Sequence, residues 1–197
     1  MSKAKEIAEG DEHSGHGGDK KAALYISILA VLLAITNLGG NNATKDFMAS
    51  YIGASDTYNF FQAKSIRQTS YEIAADELRY QLRSRRDMPA DMRAGMEERL
   101  ANYERTVARY ESDPDKGEGK KELLARARQL EQQRDVAAQR DPYFDYANAL
   151  FEIAIVTASI ATMLSFPGIM AVSVVLAGAA TFMMINGYTL LVAVPGF

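Results

Sequence analysis

Glu152 is the one carboxylate set well inside an apolar stretch of this 197-residue chain, and Asn148 and Asp145 precede it at i−4 and i−7, on the same side of a helix. Asn186 lies in the last apolar stretch. An ionisable group in lipid needs a partner, a proton or water, so the chemistry these residues could carry is an intramembrane proton or cation relay through Glu152, Asn148 and Asn186. The plainer alternative is a carboxylate close to a membrane interface and a helix N-terminus, where the dipole favours it. His13 and His16 stand three apart among glycines and could touch a metal, but no third ligand is near them and no metal site is expected.

Other reactive constellations are missing from the sequence. No glycine-rich phosphate loop precedes a Lys-Ser or Lys-Thr pair, and no nucleophile elbow occurs. The absence of cysteine excludes disulfides, thiolate zinc sites, iron–sulfur ligation and a thiol nucleophile. A net charge of −3 with interleaved acids and arginines does not fit a nucleic-acid surface. The expectation is a protein that is not an enzyme, uses no cofactor and has no small-molecule substrate.

The elements that position these residues are set by where charge stops. From Ile153 to Phe197 there is no Asp, Glu, Lys, Arg or His. Since about 20 apolar residues cross a hydrocarbon core about 30 Å thick, two membrane helices are predicted, 143–164 and 169–194, folded back at Ser165-Phe166-Pro167-Gly168. The uncharged run Ala22–Leu38, preceded by Lys20 and Lys21, predicts a first crossing. A cleaved signal peptide fits it poorly, because the flank is long and acidic and Asn37-Leu38-Gly39-Gly40 is a poor cleavage site. Residues 1–21 are too polar to fold alone and read as a flexible tail.

The polar middle, 39–142, reads as an extramembrane helical hairpin. Gly39-Gly40-Asn41-Asn42 is predicted to break the first helix, with Asn42 or Thr44 capping the next. From Ala43 to Arg86 helical spacing holds through Phe47, Tyr51, Ala54, Tyr58, Phe61, Ile66, Ile73, Leu78 and Leu82, until Asp87-Met88-Pro89 ends it. Met92, Met96, Leu100, Tyr103, Val107 and Tyr110 then form a heptad seam, and Leu123, Ala127, Leu130 and Ala137 a second one after the turn-rich 113–119. These two seams predict the two arms of an α-hairpin, closed by Asp141-Pro142 as the start of another helix. The fold class is thus an all-α membrane protein with three transmembrane helices and a long, coiled-coil-like extramembrane hairpin between the first and second.

Two further sets of residues suggest contact rather than chemistry. Ala154, Ala158 and Thr162 lie on one stripe of the second crossing, and Ser173, Ala177 and Thr181 on one stripe of the third; small residues let helix backbones approach closely in lipid. Tyr58, Phe60, Phe61, Gln62 and Lys64 form an aromatic block, read as packing in preference to a headgroup site.

That block, within Ala54-Ser55-Asp56-Thr57-Tyr58-Asn59-Phe60-Phe61-Gln62-Ala63-Lys64-Ser65-Ile66, resembles a bacterial membrane family known as domain of unknown function 4337. Glu152-Ile153-Ala154-Ile155-Val156-Thr157-Ala158 is similar to that family's second crossing, where glutamine is expected at position 152. The resemblance runs nearly the whole chain and implies location and architecture: a multi-pass protein of the bacterial inner membrane with no established activity. The expected role is a non-enzymatic membrane subunit or scaffold that packs with itself or with a larger membrane complex, among lipids; the alternative is an oligomeric ion or proton pathway using Glu152. Lys5, Lys20 and Lys21 on one side stand against Lys45, Arg126, Arg128, Arg134 and Arg140 on the other, which favours a cytoplasmic hairpin.

Overall fold

A computed structural model describes the backbone of residues 3–85 and 87–192, and side chains in that range from Lys20 onward. His13, His16 and the rest of the polar tail up to Asp19 lie outside the described side chains. The described residues form four helices and no strand: α1 (Lys3–Ser84), α2 (Ala90–Glu111), α3 (Lys120–Leu164) and α4 (Pro167–Thr189). Three of them, α1, α3 and α4, are long and apolar enough to cross a membrane.

The chain divides into two compact units, residues 1–47 with 135–197, and residues 48–134. In the first, α1, the end of α3 and α4 pack around Leu29, Phe151, Ala154, Ala177 and Ala180. Apart from one leucine and one phenylalanine these buried groups are alanines, so the helices approach through small residues while most large apolar side chains, such as Val31, Val156 and Val175, point outward. The turn between α3 and α4 follows from its residues. Ser165 is left-handed (φ 50°), the Phe166 N–H donates to Ala161 O (3.2 Å), and the Ser165 N–H to Thr162 O (3.3 Å), a Schellman closure after which Pro167 opens α4 without needing its missing N–H.

Two predicted helix breaks are absent. α1 runs on through Gly39-Gly40-Asn41-Asn42, because these glycines serve a contact: a Cβ on Gly39 would lie 2.5 Å from the Phe144 ring and one on Gly40 3.2 Å from Phe144 Cβ. α3 likewise continues through Asp141-Pro142. Proline there forfeits one backbone hydrogen bond, while Phe144, Ala147 and Phe151 beyond it are almost wholly buried and hold the helix in place. α4 ends five residues before the predicted 194, since Leu190 turns left-handed (φ 50°) and the Asn186 side chain clasps Val192 through N–H···Oδ1 (2.9 Å) and Nδ2–H···O (2.8 Å).

In the second unit the hairpin is paired differently from the sequence expectation. α2 and the start of α3 do not form its two arms; each packs on α1, one after the other. Arg79 of α1 binds Glu104 of α2 (2.6 Å), and Tyr71 meets Tyr103 and Tyr110 with ring centroids 5.5 and 5.9 Å apart. Farther back along α1, a Cβ on Gly53 would meet Leu130 of α3 at 3.4 Å. The returning residues, 90–111 and 120–134, equal the outgoing 48–84 in number, so a returning arm interrupted by a connector matches one unbroken helix. Ile66 and Ile73, expected inward, are exposed; Gln68 and Ala75 take the inward positions.

Candidate functional site

The aromatic block becomes a polar clasp on the connector between α2 and α3. Lys64 Nζ donates to Glu118 (3.3 Å) and lies 5.0 Å from the centre of the Phe60 ring and 5.3 Å from that of Tyr110. Lys120 Nζ donates to Gln68 Oε1 (2.7 Å), pairs with Glu111 (3.2 Å) and lies over the Phe61 ring, 5.9 Å from its centre. Gln68, buried, donates from Nε2 to Glu111 (3.3 Å), so its amide is satisfied at both ends. Hydrogen bonds from Lys120 and then Gln68 hold the Glu111 carboxyl below the usual carboxylate range. Tyr58 hydrogen-bonds Glu131 in the same unit, and burial together with that carboxylate raises its phenol above the ordinary value. Gln62 is exposed and takes no part.

The connector is tied back on itself. Glu122 in the first turn of α3 accepts from Ser112 Oγ–H (2.6 Å) and from the Asp113 N–H (3.1 Å), and these bonds lower its pKa, the Ser112 bond most. Of the block read from sequence as packing in preference to a headgroup site, Tyr58, Phe60, Phe61 and Lys64 thus make hydrogen-bond, ion-pair and ring contacts within the unit.

The small-residue stripes meet inside the first unit. Ala154, Ala158, Ser173 and Ala177 are buried, and Ser173 Oγ–H donates to Ala154 O (2.7 Å) while lying 3.1 Å from the Tyr25 hydroxyl. Thr162 and Thr181 are only partly buried and return their hydroxyls to Ala158 O and Ala177 O of their own helices. The stripe residues thus join α3 to α4, and, through Tyr25, to α1. Sequence reasoning missed Ala180, Phe144 and the pair of glycines facing it; the signal for the last was glycine spacing read as a break.

The relay residues are not brought together. Asn186 is buried and spent on Val192. Asn148 Oδ1 is buried and has no hydrogen-bond partner among the described residues. Glu152 is exposed on the outside of the helix group. It stands 11 residues beyond Asp141 and 13 before Ser165, roughly 17 Å and 20 Å along α3 at about 1.5 Å per residue. No group of three or more metal-ligating side chains occurs among the described residues.

The family described as "Domain of unknown function (DUF4337)" matches residues 18–190, and the chain belongs to it. No curated protein and no solved structure matches the chain.

Proposed function

We propose that this member of the domain of unknown function 4337 family is a non-enzymatic membrane subunit or scaffold: α1, the second half of α3 and α4 cross the bilayer, residues 48–134 stand outside it, and the chain packs laterally with a second copy or with another membrane subunit. One observation carries the lateral contact. A carboxylate halfway along a span and on its outside would face hydrocarbon in a solitary chain, at a cost of about 2.5–3.5 kcal/mol or more for a charged side chain at mid-depth. A neighbouring protein at that face removes the cost by supplying a hydrogen-bonding or ionic partner. The small-residue stripes do not serve this contact, since they are closed within the chain.

The ion-pathway alternative draws less support, because Asn186 has another task and only Asn148 accompanies Glu152 on α3. The balance of Lys and Arg favours a cytoplasmic position for residues 48–134, in the inner membrane. Because the chain has no cysteine, Glu152→Cys introduces a single thiol. Oxidation in intact membranes is expected to give one discrete cross-linked species, a dimer or a heteromer identified by mass spectrometry, while the unaltered chain runs above monomer mass by native mass spectrometry. A chain that stays monomeric in both measurements would remove the scaffold reading.

A further inference from the structure

Beside the Phe144 contact the first unit forms a half-open cavity of about 220 Å³, bordered among others by Gly39, Asp46, Arg140, Phe144, Gly187 and Tyr188. Its floor is apolar and filled: the Phe144 and Tyr188 rings meet edge to face at 4.8 Å, and a Cβ on Gly39 or Gly187 would press on Phe144. Its polar groups are not. Arg140 and Asp46 line the same space yet make no ion pair with each other. The Arg140 Nε is solvent-excluded and lacks an acceptor among the described residues, an unfavourable state for a charged group. A cation and an anion that border one cavity without closing on each other are complementary to a ligand carrying both charges.

The position of the cavity narrows the ligand class. α1 has no charged residue from Ala22 to Thr44, and charge resumes at Lys45 and Asp46; on α3 Arg140 is the last basic residue, followed by the acidic Asp141, Asp145 and Glu152 alone. On the membrane reading, on which the lipid form of this inference rests, the cavity opens at the level where hydrocarbon gives way to headgroups. Its volume matches that of about seven liquid waters, at about 30 Å³ each, the scale of a small headgroup. Guanidinium forks recognise phosphate oxygens in pairs, and a carboxylate accepts hydrogen bonds from a primary ammonium.

We infer that this cavity is a binding site for a phosphoethanolamine group, with the phosphate on Arg140 and the ammonium on Asp46, presented by an aminophospholipid whose acyl chains run along the apolar helix faces. The same chemistry is carried by soluble phosphoethanolamine, and the two sources separate in one experiment. The full chain in mild detergent is titrated by native mass spectrometry with phosphatidylethanolamine, phosphatidylglycerol, phosphatidylcholine and soluble phosphoethanolamine. Preference for phosphatidylethanolamine over the other two lipids is expected. Arg140→Gln is expected to weaken retention of phosphatidylethanolamine about tenfold, with Arg140→Lys between. Asp46→Asn, at an exposed position where folding is not at stake, is expected to abolish the preference over phosphatidylglycerol while leaving phosphatidylglycerol binding unchanged. Circular dichroism of each variant checks that the helices persist. Equal retention by native and Arg140→Gln chains, or an unchanged preference in Asp46→Asn, overturns the assignment. Binding of soluble phosphoethanolamine alone, with the same dependence on both residues, upholds the site and makes the free compound its ligand. Release of the chain from membranes by alkaline carbonate would fail the membrane reading separately, while the soluble arm still tests the cavity.

Discussion

Replacing Phe144 by alanine should lower the stability of the first unit by about 3–5 kcal/mol, the cost of deleting a large buried aromatic side chain, and should shift Tm down by roughly 10 °C for a chain of this size. The ring is 1 % exposed and stacks edge to face on Tyr188. The loss belongs toward the upper end of the range because the ring is faced by Gly39, Gly40 and Gly187, none of which has a side chain that can move in to fill the cavity. Tyr188 would also lose the surface that positions its hydroxyl on Ile35 O (3.0 Å). Thermal unfolding followed by helical circular dichroism in detergent is the check. A Tm within 2–3 °C of native, corresponding to about 1 kcal/mol, would mean that the three helices do not close around this ring.

The second large effect is expected at the connector. A methyl group on Gly119 would lie 2.5 Å from Ser112 Cα and still closer to the Asp113 N–H and the Glu122 carboxylate, and two of these three obstacles involve backbone. Gly119→Ala should therefore cost about 1–3 kcal/mol from overpacking, toward the upper end because backbone cannot swing aside. Gly95→Ala supplies the contrast: it lies inside α2 with open space around its Cβ position, and it should gain about 0.5–1 kcal/mol. Opposite signs from the same substitution in chemical denaturation test the turn geometry; equal effects would contradict it. The Glu122 bonds add a pH dependence of definite sign. Its folded-state pKa is depressed, so its contribution is present above the ordinary carboxylate range and is lost as pH falls through the lowered value. Acidification should thus erase the stability difference between the native chain and Glu122→Gln.

Helix content, the α3–α4 turn and the small-residue stripes were legible because each depends on neighbours in sequence. Ser165, Pro167 and Gly168 lie where propensity alone ends a helix, and the structure turns there. Gly39-Gly40 and Pro142 carry the same local signals, yet the helices continue. At Gly39 the decisive fact is an aromatic ring more than a hundred residues away in sequence, and at Pro142 the buried residues that follow outweigh one missing hydrogen bond. Arm pairing was similarly hidden. The seams of α2 and α3 show that each helix has an apolar face, and only the three-dimensional arrangement reveals that both faces meet α1.

The candidate sites divide along the same line. Composition located Glu152, but whether it faced a polar axis, a partner helix or the outside of its own helix group depended on the rotation of α3. Arg140 and Asp46 were invisible as a pair because they are far apart in sequence and ordinary charged residues in local context. Lys64, by contrast, sat in a recognisable block with Phe60, while the carboxylate that engages it, Glu118, came from a connector that reads as a simple turn and the second ring, Tyr110, from α2.

The membrane-spanning arrangement is tested most directly by single-cysteine labelling in sealed vesicles with a water-soluble maleimide. Val31, Val156 and Val175 are 59 %, 59 % and 71 % exposed in the folded chain, and Ile66 and Tyr80 are 69 % and 68 % exposed. The fold itself shields none of the five, so burial within the chain cannot separate them. Cysteines at Val31, Val156 and Val175 are expected to stay unlabelled until the membrane is dissolved, while those at Ile66 and Tyr80 react at once from whichever side holds residues 48–134. Prompt labelling at Val31, Val156 and Val175 in intact vesicles of either orientation would contradict the account.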